Sequence, residues 1–198
     1  MSTKIHAERR TADETRGRLV SSASFLFNRD GYHGTDSNKI ARHAGFAAGT
    51  FYNHFRDKKA AFLASYQRAV TNEWDAIAAM VASSKNAQQT AAGLVALLVE
   101  TQRSWQGFRA SLGTLAADPD VRQIRRDQRG RHLELLASLR DRTGAARKPR
   151  EQDAVLLFTL ERTCDALADG EATDLRLSER TLTHELEALI EREISKAR

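Results

Sequence analysis

The sequence has one cysteine, two prolines and few aromatic side chains, which make up 7% of its 198 positions. A lone thiol, Cys164, cannot close an intrachain disulfide, so nothing in the chain asks for an oxidising compartment. Pro119 and Pro149 are the only prolines. With breakers so scarce and Ala, Leu, Glu, Gln and Arg abundant, the composition favours helices. The alternating β-branched and aromatic runs that make strands are missing. The longest apolar run, residues 91–99 (AAGLVALLV), falls far short of the roughly 20 residues that a membrane span needs. The opening stretch, MSTKIHAERRTADETRGRLV, is charged and has no apolar centre, so it is not expected to act as a secretory leader. A cytoplasmic protein is the expectation. Metal-ligand spacing, a nucleophile elbow and a phosphate-cradling glycine loop are also missing. Cys164 with His132 or His184 lacks such a companion motif, so no enzyme, metal or cofactor is expected.

What the chain does have is a lopsided charge. Hydrophobic residues at 41% and charged residues at 29% suit a folded globular protein. The net charge is +5. Residues 1–66 hold 11 Lys/Arg against 6 Asp/Glu, whereas the remainder balances 20 against 20. The whole excess, with four of the six histidines, therefore sits in the first third. A basic head on a neutral body points to a polyanion-binding segment attached to a part with another task.

Periodicity divides the chain into about nine helices. After a basic arm over 1–10, a first helix is expected from about Thr11, with Asp13 and Glu14 in its first turn and Leu19, Ala23, Leu26 and Phe27 forming its apolar stripe. Gly31 should end it, and Phe25 lies off the stripe. Asp36 or Ser37 is placed to cap a second helix reaching about Ala44, whose small inner face is Ile40, Ala41 and Ala44. Gly45 supplies a turn, and a third helix follows over about 47–54. Asp57 is a plausible cap for a long fourth helix with Phe62, Tyr66, Val70, Trp74, Ile77 and Val81 inward. Further helices are expected over about 87–104, 105–117, 120–143, 150–168 and 178–196, with Asp118-Pro119-Asp120 and Lys148-Pro149-Arg150 as start signals and Asp169-Gly170 as a stop.

The segment GYHGTDSNKIARHAGFAAGTFYNHFRDKKAAF (31–62) has the layout of a helix-turn-helix, whose second helix enters the DNA major groove. Gly45 permits a sharp turn, and Gly49 and Thr50 keep the start of the next helix slim. Leu26-Phe27, Gly31-Tyr32, Thr35, Ile40-Ala41, Ala44-Gly45, Gly49-Thr50-Phe51-Tyr52, His54-Phe55 and Lys58 together resemble the DNA-binding domain of TetR-family (tetracycline-repressor-like) transcriptional regulators. The resemblance implies an all-α chain with a three-helix helix-turn-helix domain over 1–56 and a helical ligand-binding and dimerisation domain over 57–198. It implies that Ala48, Gly49, Thr50, Tyr52, Asn53 and His54 face DNA. It implies that Ser37 and Asn38 touch the backbone or an outer base, and that Lys58 grips a phosphate. Ile40, Ala44, Phe51 and Phe55 would form the small core. Two departures stand out. The family often has Ser or Thr where Ala47 stands, which removes a side-chain cap, and Ala48 is too short to hydrogen-bond a base. Phosphate contacts and DNA shape are therefore expected to carry a substantial share of recognition.

The body reads less sharply. Val155, Leu156, Leu157, Phe158 and Leu160 make the helix over 150–168 apolar nearly all round, so it needs cover on more than one side. Leu182, Leu186, Leu189, Ile190 and Ile194 form a seam suited to a partner helix. The resemblance implies that these two helices pair with a second copy, giving a homodimer that reads a palindromic operator. It also implies a repressor released by a small-molecule effector, the alternative being a constitutive DNA-binding dimer without an inducer. Candidate pocket residues are Trp74, Gln102, Trp105, Phe108, Arg109, Arg131, His132, Glu161 and Cys164. Arg109 and Arg131, if inward, favour an anionic effector; Glu161 or Asp165, if inward, a cationic one. Cys164 is also a candidate redox sensor.

Overall fold

The computed structural model describes residues 2–196, with side chains described over 11–196. Ten helices account for its elements: α1 (Ser2–Gly34), α2 (Ser37–His43), α3 (Ala48–Tyr52), α4 (Lys58–Ser83), α5 (Ala87–Ser104), α6 (Gln106–Thr114), α7 (Pro119–Thr143), α8 (Arg150–Ala168), α9 (Glu171–Asp174) and α10 (Glu179–Ile194). No strand occurs among the described residues, and none of their helices is long and apolar enough to cross a membrane. The all-α expectation holds, with one helix more than anticipated. The extra element is α9, a single turn entered through Gly170 at φ 79°.

Start and stop chemistry explains the boundaries. The Asp36 carboxylate accepts from the backbone N–H of Lys39 and caps α2, while the Asn86 side chain does the same for α5 and Ser178 for α10. Gly31 interrupts α1 with φ 73° before a last turn ending at Gly34. Helix α1 starts at Ser2 rather than at Thr11. The side chains of the arm expected over 1–10 lie outside the described residues. Helices α3 and α6 are shorter than the expected 47–54 and 105–117: α3 begins after the extended Ala47 and ends in a turn at 53–54, and α6 lies between turns at 105 and 115–117.

The chain forms two compact units, Met1–Val70 with Gly107–Arg122 and Thr71–Gln106 with Gln123–Arg198. This differs from the expected division at 56/57. The first turns of α4 pack with α1, and the sequence-distant α6 joins them through aromatic side chains. The Phe62 and Phe108 rings stack with centroids 4.7 Å apart, and Phe27 meets Phe62 edge-on at 5.1 Å. A Cβ on Gly107 would lie 1.7 Å from the Asn28 carbonyl oxygen, so only glycine allows this approach. The Asn28 side chain accepts from the Phe108 N–H at 2.9 Å. Lys59 ties α4 to the start of α7 through Asp118 at 2.6 Å and Asp120 at 3.0 Å.

The second unit has its own core. Ile77, Val81, Leu94, Val95, Leu139, Leu160, Leu167, Leu186, Ile190 and Ile194 are buried there together. Burying each such side chain contributes about 1.5–3 kcal/mol before entropy is counted. Beside this core lies an ion pair. Arg140 and Asp153, both almost wholly inaccessible, are joined through Nη1 and Oδ1. Arg140 Nε also donates to the Glu193 carbonyl at 2.9 Å.

Candidate nucleic-acid interface

Helix α3 presents one face outward and anchors the other. Phe51 is fully buried and Phe55, just beyond the helix, nearly so, against the floor made by Ile40, Ala41 and Ala44. At helical spacing this leaves Ala48, Gly49, Tyr52 and Asn53 on the exposed side. Tyr52 is 57% exposed, a large aromatic surface to leave in water. Thr50 and His54 are half-buried at the flanks, and on α2 Asn38 is exposed and Ser37 half-buried.

The turn before α3 is held from outside the motif. Gly45 takes φ 77°, and Phe46 N–H returns to the Ala41 carbonyl at 2.9 Å. The guanidinium of Arg18 on α1 donates to the Ala44 carbonyl at 2.7 Å and lies 4.5 Å over the Phe46 ring. A Cβ at Gly45 would come within 2.9 Å of that guanidinium. In the sequence Arg18 is one more charge of the basic head. Its role depends on a contact across 26 positions that no local pattern reports. Ala47, as anticipated, stands at the N-cap of α3 without a side-chain hydrogen bond.

Lys58 is placed differently from a free phosphate grip. Its ammonium donates to the Tyr32 carbonyl at 2.8 Å and the Thr35 carbonyl at 3.0 Å, and lies 4.2 Å over the Tyr32 ring. Two of its three protons are thereby committed to closing the end of α1. By contrast, among the described residues Ser37, Asn38, Thr50, Tyr52, Asn53 and His54 make no side-chain hydrogen bond within the protein. Their donors and acceptors remain available to a groove. The arrangement suits an anionic, edge-reading contact: a helix N-terminus, a slim Ala-Gly start and short polar side chains.

In the second unit the candidate pocket residues separate. Phe108 and Arg109 belong to the first unit instead, Phe108 deep in its aromatic core. Gln102 and Trp105 are half-buried near the end of α5. Trp74 of α4 and His132 of α7 come together with ring centroids 4.8 Å apart, and Arg131 covers Trp74 at 4.6 Å while remaining exposed. Glu161 is bound by Arg129 at 2.8 Å. Two residues without a local sequence signal join them: Glu73, whose carboxylate accepts from Gln128 Nε2 at 2.7 Å, and Gln128 itself. Burial pushes the Glu73 carboxyl up to about 7, Glu161 adding to the effect, and burial pushes the His132 imidazole down to about 4. Cys164 is buried, and desolvation raises its thiol to about 12, which keeps it protonated and unreactive. This geometry does not suit the redox sensor considered above.

The seam expected to meet a partner is turned inward. Leu156, Leu186 and Ile190 are buried within the protomer, and Leu182 and Leu189 pack against the same core. The reason is that α10 lies on α5 and α8 and spends its apolar stripe there. The apolar surface left outward on α8 is Val155, 66% exposed, and Phe158, 51% exposed.

A family model described as "Bacterial regulatory proteins, tetR family" matches residues 19–64, the stretch that builds this helix-turn-helix. The chain is similar to the HTH-type transcriptional activator FasR of Mycolicibacterium smegmatis, with 34% identity over 98 residues that cover 49% of this chain and 45% of the relative. The match therefore spans less than half the length of that relative. Among solved structures, a transcriptional regulator of Saccharomonospora viridis in complex with choline superposes with a TM-score of 0.73 at 25% identity, over 90% of this chain and 96% of that one. The fatty acid degradation regulator FadR of Bacillus halodurans superposes with a TM-score of 0.67 at 18% identity, over 88% and 93%, which is a likeness of fold.

Proposed function

The chain belongs to the TetR family of bacterial regulatory proteins, and from that premise we propose that it is a sequence-specific, homodimeric DNA-binding transcriptional regulator, a repressor released from a palindromic operator by a small molecule. The outward face of α3 carries the reading: Ala48, Gly49, Tyr52 and Asn53 are presented together while Phe51 and Phe55 hold the helix from behind. Tyr52 and Asn53 would read base edges, Ala48 and Gly49 would bring the backbone close to the groove, and Ser37 and Asn38, with the one proton Lys58 has left, would meet phosphates.

The dimer is supported by Val155 and Phe158, which leave an apolar stripe on α8 exposed in a single chain. Two copies would present two recognition helices at a fixed spacing, which is what a palindrome requires. A second state of the body, favoured by an effector, would alter that spacing, and only differential affinity for the two states produces release. Polar groups buried in the second unit support such an effector, as does the choline held by the S. viridis relative. The M. smegmatis relative is named an activator, so the sign of regulation is a test in itself.

The experiment is selection of bound fragments from random duplex DNA, then a reporter with the selected site overlapping a promoter. Enrichment of a palindrome, with affinity falling steeply as salt rises, is the expected result. Failure to retain any duplex at low salt would overturn the reading, and a reporter switched on by the protein would overturn the repressor assignment.

A further inference from the structure

Helix α3 is too short to hold its own pose. It has five residues and no side-chain cap at Ala47, and it ends in a turn where the His54 N–H returns to the Phe51 carbonyl at 3.0 Å. Isolated helices shorter than about 12 residues are marginal in water, so its direction is decided by what grips it. Phe51 and Phe55 anchor it from behind. Its two flanks are gripped by α1. The Arg18 guanidinium lies 4.5 Å over the ring of Phe46, just before α3, and the Arg16 guanidinium lies 5.0 Å over the ring of Phe55, just after it. Arg18 also donates from Nη2 to the Ala44 carbonyl at 2.7 Å, at the end of α2 where helix carbonyls concentrate negative potential. Gly45 leaves room for that guanidinium, since a Cβ there would come within 2.9 Å of it. A planar guanidinium can stack on a ring and direct a hydrogen bond at once, which a lysine ammonium cannot.

We propose that Arg16 and Arg18 are positioning residues for sequence readout: they set the angle at which α3 meets the groove and so govern discrimination between base sequences without reading a base themselves. The proposal rests on the DNA-binding reading given above and adds to it a pair of side chains from outside the helix-turn-helix. Both arginines belong to the basic head and both remain exposed, so the competing assignment is contact with phosphate. The two assignments differ in what they predict. Removing a phosphate contact weakens every duplex alike and lowers the salt slope by about one. Loosening a clamp leaves the number of phosphates met unchanged. It tilts Tyr52 and Asn53 off their base edges, so only the preferred sequence loses affinity.

The test uses the full chain and two duplexes: the fragment most enriched by the wild type from random DNA, and the same bases shuffled. Arg18→Lys and Arg16→Lys keep the charge and lose the planar guanidinium. Phe46→Leu leaves every charge in place and removes the ring beneath Arg18. Affinities are read by fluorescence anisotropy over a salt series, well below each variant's thermal midpoint, with the active fraction fixed by stoichiometric titration. Arg18→Lys and Phe46→Leu are expected to weaken the enriched duplex about tenfold, the worth of one base contact, with the shuffled duplex and both salt slopes as in the wild type. Arg16→Lys should act in the same direction. Should Arg18→Lys fail to fold, Phe46→Leu and Arg16→Lys carry the measurement. An unchanged preference in the variants, or an equal loss on both duplexes, would overturn the proposal. So would a salt slope lowered by about one in Arg18→Gln, which would make Arg18 a phosphate contact. A lost preference at Arg18 with none at Arg16 would overturn the assignment of Arg16 alone. All these outcomes leave the regulator reading intact, because the wild type still enriches its sequence. A wild type that retains no duplex at all would overturn both.

Discussion

Lys58 Nζ donates to the Tyr32 carbonyl at 2.8 Å, fastening the start of α4 to the end of α1. The cation sits where the last carbonyls of a helix concentrate negative potential, so it does structural service even without DNA. Lys58→Ala is expected to cost about 1–2 kcal/mol of stability, from the lost charged hydrogen bonds discounted for partial exposure. It should weaken all duplexes alike, since no base is read by it. Denaturant titration and binding to three unrelated duplexes check both parts. Unchanged stability would remove the clasp, and a changed sequence preference would give Lys58 a reading role.

Ala47 offers a gain rather than a loss. It occupies the N-cap of α3 in an extended conformation, φ −67° and ψ 154°, with no side chain to accept from the first helical N–H groups. Ala47→Ser offers a hydroxyl to the Gly49 N–H, the Thr50 N–H already donating to the Ala47 carbonyl at 3.0 Å. An increase of about 1 kcal/mol is expected, read as a higher urea midpoint with an unchanged slope. No increase would mean that the turn already satisfies these donors.

These two residues mark what the sequence could disclose. Turns and caps are local chemistry, so Asp36, Gly45, Asn86, Pro149 and Gly170 set boundaries that the structure keeps within a residue or two. Phe51 and Phe55 are buried behind α3, as the family resemblance implies. Periodicity says that a helix has an apolar side but not what covers it, which is why Leu186 and Ile190 looked like a partner's seam and prove to be protomer core. Contacts that cross long stretches of chain leave no local trace. Arg18 reaches Ala44, Gln128 reaches Glu73 across 55 positions, and Phe108 reaches the first unit only because Gly107 has no Cβ.

Glu73 and His132 should tilt stability with pH in opposite senses. Burial raises Glu73 to about 7, so between the ordinary carboxylate range and that value the folded state holds a proton that the unfolded chain has lost. Stability therefore falls as pH climbs through this window, by a few kcal/mol at most. His132, lowered to about 4, gives the reverse: the unfolded chain gains a proton below about 6.5, and stability is lost as pH falls toward 4. Thermal midpoints from pH 4 to 8 check this. Glu73→Gln should abolish the decline toward pH 8, and His132→Gln should flatten the acid side. Parallel curves for wild type and both variants would show that neither group is as enclosed as the structure places it.

Arg140 and Asp153 constrain the second unit, because both are almost wholly inaccessible to solvent and each is the other's countercharge. The guanidinium also donates to the Glu193 carbonyl and lies 3.6 Å from the Glu193 carboxylate, so it links α7, α8 and α10 at one point. Removing one partner strands a buried charge, whereas removing both replaces ions with packing. Arg140→Met alone is expected to cost about 3–5 kcal/mol, and the double variant Arg140→Met with Asp153→Leu substantially less. Denaturant midpoints of the two single variants and the double variant close the cycle. Additive losses would mean that the pair acts through shape and the Glu193 contact, and that its charges are not coupled in the folded state.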